Sequence, residues 1–325
     1  MASNVLFHAF NLGHRGGTNS LRDYAHYNQV LLGNKSTIVY HNPIAPGYQI
    51  SYPDVIESLS KEFEIIAIPH DDDLNKNMNS LASKYDFVYS LRSGLTEAPL
   101  FNSTKFGVHA AFGNYTDECD VFAYVSKYLS DINEQRNAPY VPHMIDLPKQ
   151  SKDIRETYGI SKDQFVFGRI GGYQEFDIDF VHAAIKGILD KRDDIVFLLV
   201  NTKPFYEHKN IIYIDPFFDQ QKKSDFINSC DAMIHARTMG ETFGLAMMEF
   251  LYFNKPVLAW EKGNDLNHAQ VLEEFDTLYN SDNIYKKIDD MVQTRKQYDF
   301  SKTIAEFTPE AVMRKFNGVF LNEIE

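Results

Sequence analysis

The segment Arg237-Thr-Met-Gly-Glu-Thr-Phe-Gly-Leu-Ala-Met-Met-Glu-Phe-Leu251, with Asn254-Lys-Pro-Val257 behind it, decides how the rest of the chain is read. A short apolar run, 232–235, ends just before it, and from Phe243 or Gly244 onward the pattern is helical. A strand that enters a helix through a glycine-bearing turn is the βα corner of an α/β sheet. In open sheets of this kind ligands sit outside the carboxyl ends of the strands, where helices begin. The first-turn N–H groups, with roughly half a positive charge from the helix dipole, suit a phosphate. Gly244 lets such a ligand approach the backbone. Glu241 lies in the turn and Glu249 inside the helix. One carboxylate is thus placed for a hydroxyl at the strand end and the other for a nucleotide ribose. Helix capping by Glu241 and plain solvation of Glu249 are the alternatives.

Outward from this corner the same alternation repeats. Strand patterns occupy residues 5–10, 36–41, 64–68, 87–91, 105–109 and 121–125, then 165–169, 196–200, 211–214, 232–235 and 256–259. Helical patterns lie between them at 20–32, 53–63, 74–85 and 127–136, then 180–191, 222–230, 244–252 and 268–274. Strands spaced by helices are βαβ units, and right-handed crossovers make parallel sheets covered on both faces. The alternation pauses at Val141-Pro-His-Met-Ile-Asp-Leu-Pro148, a proline-bracketed linker, and a short helix is expected over 153–158. The reading is α/β: an N-terminal Rossmann-like domain over 1–145, a second over 146–307, and a helical tail over 308–325 with Val312, Phe316, Val319 and Phe320 at helix spacing.

The 325 residues are 44% hydrophobic and 24% charged, ordinary globular usage that excludes a disordered chain. Lys+Arg number 32 against 45 Asp+Glu, and both halves are acidic, which argues against nucleic-acid partners and anionic lipid. Cys119 and Cys230 stand far apart outside any CxxC or Cys/His cluster, so neither a disulfide framework nor a structural zinc is expected. The opening MASNVLFHAF lacks a signal-peptide pattern, and no run reaches the roughly 18 apolar residues of a membrane span. A cytoplasmic setting is the expectation.

Glu241 and Glu249, separated by seven residues, together with Phe243-Gly244 and Lys255-Pro256-Val257, resemble the E-x7-E region of retaining GT-B glycosyltransferases of the family-4 type. That resemblance implies two Rossmann-like domains facing across a cleft, and transfer of a sugar from a nucleoside-diphosphate sugar (UDP- or GDP-linked) to a glycan, glycolipid or small-molecule hydroxyl with retention of configuration. It implies that Glu241 meets the donor sugar, Glu249 the ribose, and the amides of Thr242, Phe243, Gly244 and Leu245 the diphosphate. Phe165-Val-Phe-Gly-Arg-Ile170 resembles the strand-plus-GR motif, which makes Arg169 a diphosphate ligand. The usual E-G-F-G carries Thr242 for its first glycine, and Gln174 stands where the family has a second phosphate cation, a lysine. Leu12-Gly-His-Arg-Gly-Gly-Thr18 resembles the family's GG loop, with Gly16, Gly17, His14 and Arg15 near acceptor or phosphate. His109, at the end of the 105–109 strand, occupies the place of an active-site histidine. Arg92, His235 and Arg237, at other strand ends, are candidate acceptor or sugar contacts. The acceptor-specific loops are expected at 43–52 and 95–104, and the tail helix is expected to return to the first domain.

Other readings remain. Asp71-Asp-Asp73 and Asp177-Ile-Asp179 fit the D-x-D pattern with which GT-A enzymes hold a divalent metal, although such acids serve more often as helix caps. No metal site and no resident cofactor are expected. A nucleotide-sugar epimerase on the same fold and a non-catalytic nucleotide- or glycan-binding protein are the alternatives. The missing lysine at Gln174 favours the latter.

Overall fold

The computed structural model describes residues 2–43 and 51–322. The chain forms two compact units, Met1–Met144 with Phe307–Glu325, and Ile145–Glu306. In unit 1 the elements run β1 (Asn4–Ala9), α1 (Gly16–Val30), β2 (Lys35–Pro43), α2 (Pro53–Ser60), β3 (Glu64–His70), α3 (Leu74–Ala82), β4 (Phe87–Arg92), β5 (Lys105–Ala110), β6 (Val121–Tyr124) and α4 (Lys127–Ile132). Unit 2 contains β7 (Phe165–Ile170), α5 (Asp179–Leu189), β8 (Ile195–Val200), β9 (Ile211–Ile214), α6 (Gln220–Asn228), β10 (Ala232–His235), β11 (Gly240–Glu241) and α7 (Leu245–Tyr252). It continues with β12 (Val257–Trp260), β13 (Asp265–Leu266), α8 (Asn267–Leu272), β14 (Leu278–Tyr279), α9 (Ile284–Thr294) and α10 (Ser301–Ile304). The chain then returns to unit 1 in α11 (Pro309–Phe316).

Each unit is built on a six-stranded sheet, ordered β3-β2-β1-β4-β5-β6 in unit 1 and β14-β12-β10-β7-β8-β9 in unit 2. All these pairings are parallel. Both orders start at a central strand, lay two strands to one side, then switch to the other side, which is the Rossmann arrangement. The switch points lie between β1 and β4 in unit 1 and between β7 and β10 in unit 2. Crevices for ligands open at the carboxyl ends of the strands flanking such a point.

Burial explains why these segments take these forms. Every residue of β8 is buried, so it reads as one apolar run, as a strand covered on both faces must. Helix α5 turns Val181, Ala184, Ile185 and Ile188 inward at helix spacing, against a core that includes Phe165, Phe167 and Ile288. Burying each such side chain contributes about 1.5–3 kcal/mol. Three boundaries differ from the sequence pattern. Helix α1 begins at Gly16, so Gly16 and Gly17 form its first turn and do not lie in a loop. Strand β14 and helix α9 were not expected; β14 is two residues long, too short for periodicity to register. Among the described residues the tail changes its helix type: α11 ends at Phe316 and a wider, π-type turn follows over Asn317–Leu321.

The tail completes the core of unit 1. Phe316 stacks on Tyr24 with ring centroids 5.1 Å apart, and Phe320 lies 5.4 Å from the ring of Tyr89 and 5.5 Å from that of His109. Among the described residues no helix is long and apolar enough to cross a membrane.

Candidate functional site

In unit 2 the loops after β7 and β10 flank the switch point, and their charged side chains meet there. Arg237 Nη1 donates to Glu241 Oε2 (3.0 Å) and its Nη2 to Glu175 Oε1 (3.2 Å). The other oxygen of Glu241 accepts from His235 Nε2 at 3.1 Å. Burial alone would raise the Glu241 carboxyl, but His235, Arg237 and His268 outweigh it and hold it below the usual carboxylate range. Glu241 is therefore an ionised, acceptor-only group at neutral pH, partly open to solvent. Glu175 Oε2 accepts from the Gly172 N–H (3.1 Å), so the same carboxylate ties its own loop together.

Two glycines shape this corner. Gly240 has φ +71°, and a Cβ built on it would lie 1.9 Å from the Asp265 carbonyl oxygen and 2.9 Å from His268 Cε1. Only glycine allows β11 to pair with β13 and so present Glu241. Gly244, with φ +83°, is the N-cap of α7, and no side chain caps that helix. The first-turn amides of α7 thus lie beside the turn that carries Glu241, and they are oriented for an anion.

Several expected ligands are engaged by the protein itself. Arg169, at the end of β7, is buried, with Nη1 donating to the carbonyl oxygens of Asn201 (2.8 Å) and Val200 (3.3 Å) and to Thr202 Oγ1 (2.7 Å). Its Nη2 donates to Gly172 O at 2.7 Å, and burial pulls the guanidinium down to about 10. The fork joins the loops after β7 and β8. Glu249 is not solvated: it is buried on α7, and Oε1 accepts from Lys223 Nζ of α6 at 2.7 Å. The expectation of an open ribose contact at Glu249 is corrected on that ground. Thr242 and Leu245 are partly exposed at the start of α7, whereas Phe243 is buried and its carbonyl accepts from Asn267 Nδ2 (2.7 Å). Asp177 accepts from the Thr238 N–H (2.7 Å), which ties together the loops that carry Glu175 and Arg237. Asp179 opens α5, and Asp71 accepts from the Asp73 N–H (3.0 Å). Among the described residues no group of three His, Cys, Asp or Glu side chains could hold a metal ion.

In unit 1 the largest correction concerns His109. The ring is fully buried, with Nδ1 2.6 Å from Tyr89 Oη and Nε2 2.8 Å from the Val141 carbonyl oxygen. Both nitrogens are satisfied inside the core, and burial lowers the imidazole to about 4. His109 is a neutral packing residue, not one that faces a sugar. Arg92 is likewise buried; Nε donates to Ser90 Oγ (2.7 Å), Nη1 to Glu97 O (2.5 Å) and Nη2 to Pro99 O (2.7 Å), so it holds the loop after β4. His14 bonds Asp54 at 2.7 Å and meets the Tyr52 ring edge-on, while Gly16 and Gly17 are exposed at the start of α1. A row of histidines crosses the strand ends here: His8 bonds Ser90 Oγ (2.7 Å) and His41 (2.8 Å), and His41 bonds His70 (3.1 Å). Of the expected acceptor loop at 43–52, residues 44–50 lie outside the described residues.

No family model matches the chain, and no curated protein sequence matches it. Solved structures do. Anabaena HepE, whose structure holds UDP and glucose, shares 14% identity and a TM-score of 0.72 over 97% of this chain and 98% of its own. The pneumococcal O-GlcNAc transferase GtfA, held with UDP and GlcNAc, gives 11% identity and a TM-score of 0.70 over 99% of both chains. A glycosyltransferase from Rickettsia africae gives 14% identity and 0.64 over 99% of this chain and 95% of its own. The fold is GT-B.

Within that fold the sequence pattern placed Glu241, Arg237, His235 and Gly244 at one corner, and the structure brings them together. It missed Glu175, Lys223 and His268. Glu175 directly follows Gln174, the position that lacks the family's cation, so the departure itself marked the loop. Lys223 and His268 sit in helical patterns that look solvated in one dimension and become buried only when helices pack.

Proposed function

We propose that the chain is a glycosyltransferase that moves a sugar from a nucleoside-diphosphate sugar to an acceptor hydroxyl with retention of anomeric configuration. The observation that carries this reading is the Glu175–Arg237–Glu241–His235 cluster at the switch point of unit 2, beside the uncapped start of α7. A carboxylate kept ionised next to a helix N-terminus offers an acceptor for sugar hydroxyls and donors for a diphosphate within one corner. UDP and sugars held by HepE and GtfA support the same donor class here.

In this reading the α7 amides and Arg237 balance the charge that grows on the departing diphosphate. Arg237 stands in for the cation absent at Gln174, because the fork of Arg169 is engaged by backbone carbonyls. Glu241 orients the sugar. His235 donates to Glu241 and keeps its second oxygen fixed. The departing phosphate assists deprotonation of the acceptor hydroxyl, so no protein nucleophile is required.

Calorimetric titration with UDP, GDP, ADP and CDP, each in EDTA and in Mn²⁺, tests the reading. One diphosphate is expected to bind in EDTA, and Arg237→Ala to weaken it about tenfold or more, as loss of a charge-assisted hydrogen bond should. Glu241→Ala is expected to abolish transfer in a folded protein. Binding by none of the four overturns it and favours the non-catalytic alternative, whereas full transfer by Glu241→Ala overturns the role given to Glu241.

A further inference from the structure

His235 and His268 share a feature that the donor-site reading does not use. His235 closes β10 and is 5% exposed; its Nε2 lies 3.1 Å from Glu241 Oε1. An ionised carboxylate only accepts, so Nε2 carries the hydrogen. His268, fully buried on α8, has Nε2 2.8 Å from the Trp260 carbonyl oxygen, which also only accepts. Each neutral ring is therefore the Nε2–H form, and each Nδ1 is a lone pair. Both Nδ1 atoms are buried without a hydrogen-bond partner. The ring centroids are 5.0 Å apart with planes inclined by 34°.

Two lone pairs cannot satisfy one another, and a buried acceptor left without a donor is costly. Direct pairing of the rings would need a second proton on one of them; burial together with His235 holds His268 down to about 4, and a second proton on His235 is the outcome that an Nδ1–H signal on that ring would reveal. The chemistry that fits unpartnered acceptors on two neighbouring rings is a small O–H donor. Water has two such hydrogens and serves both rings; a sugar hydroxyl serves one. We infer that His235 and His268 form a buried acceptor site for such a donor, and that this donor fixes His235 with its N–H on Glu241. His268 is then a positioning residue. Its ring packs against Gly240, the neighbour of Glu241, where any Cβ would lie 2.9 Å from Cε1. The site follows from the two rings alone; only its effect on transfer rests on the function proposed above.

Imidazole ¹⁵N spectra of the intact protein, with and without a nucleotide sugar, test the site. High-resolution crystal structures in both states identify the donor. Both rings are expected as Nε2–H tautomers with both Nδ1 signals displaced toward the hydrogen-bonded position. A water within hydrogen-bond reach of both Nδ1 atoms in each state assigns the donor as water. A hydroxyl that takes its place only in the complex assigns the sugar. An Nδ1–H tautomer on either ring, or Nδ1 signals of bare lone pairs in both states, overturns the inference whether or not the protein transfers sugar. His268→Phe fills the space against Gly240 and is expected to move the His235 Nδ1 signal toward a bare lone pair. It should also lower kcat about tenfold, the scale of one well-made hydrogen bond in a low-dielectric site. An unmoved His235 signal in that variant also overturns it.

Discussion

Buried neutral histidines should make unit 1 acid-labile well before unit 2. In unit 1, burial lowers His41 and His109 to about 4, and also holds His8 and His143 well below the usual imidazole range. A folded-state value below the unfolded one means that the folded state resists protonation. The stability associated with these groups is complete above the unfolded value near 6.5 and is lost as pH falls toward the folded value. At pH 5 His41 and His109 have each crossed about 1.5 pH units of that window, which costs about 2 kcal/mol apiece at roughly 1.4 kcal/mol per unit. These two come to about 4 kcal/mol, a large part of the stability of an ordinary domain, and His8 and His143 act in the same direction. In unit 2 the corresponding groups are His268, at about 4, and His182, lowered less. Urea unfolding at pH 7 and pH 5 separates the two units, because the single tryptophan, Trp260, belongs to unit 2 while far-UV circular dichroism reports both. Ellipticity should be lost at much lower urea at pH 5, ahead of the Trp260 signal, with a slope of at least about 3 kcal/mol per pH unit for the two protons taken up at His41 and His109. His109→Phe should remove about one proton from that slope. Equal urea midpoints at the two pH values, or earlier loss of the Trp260 signal, would refute the reasoning.

Two further outcomes follow from the site's construction. Gly240→Ala forces alanine into a left-handed conformation and places its Cβ against the Asp265 carbonyl, so unit 2 should lose at least about 3 kcal/mol in urea unfolding followed at Trp260; a loss under about 1 kcal/mol contradicts the pairing of β11 with β13. Lys223→Met leaves the buried Glu249 carboxylate without its ammonium partner and should cost about 3–5 kcal/mol, whereas Lys223→Met with Glu249→Leu should recover most of it. A single variant as stable as the double would show that the pair does not hold α6 against α7.

The fold was legible because β8 and the other central strands are continuous apolar runs, and because glycine and proline punctuate the corners between them. The two-residue strand β14 was not, since pairing rather than pattern creates it. At the site, Glu241 and Gly244 could be read from the chain because adjacency in sequence fixes their relation across one turn. Arg169 and His109 show where such reading fails. Both stand at strand ends, as a ligand-binding residue should, yet their functional atoms are taken by groups distant in sequence. The carbonyl oxygens of Asn201 and Val141 are 32 residues away from Arg169 and His109, respectively. Spacing along a strand places a side chain at an edge; partners that come from other strands decide whether it turns outward or into the core.

The return of the last described residues to unit 1 sets an order on biosynthesis. Unit 2 is a continuous stretch, Ile145–Glu306, and all of its strands have emerged before α11 is made. The core of unit 1, by contrast, lacks Phe316 and Phe320, which pack on Tyr24 and Tyr89, until the segment that follows unit 2 has been made. At about 5–20 residues per second, six parallel strands wait roughly ten to forty seconds with an aromatic face uncovered. The segment made first is thus completed last, and nascent unit 1 is the part of this chain that most needs a chaperone during synthesis.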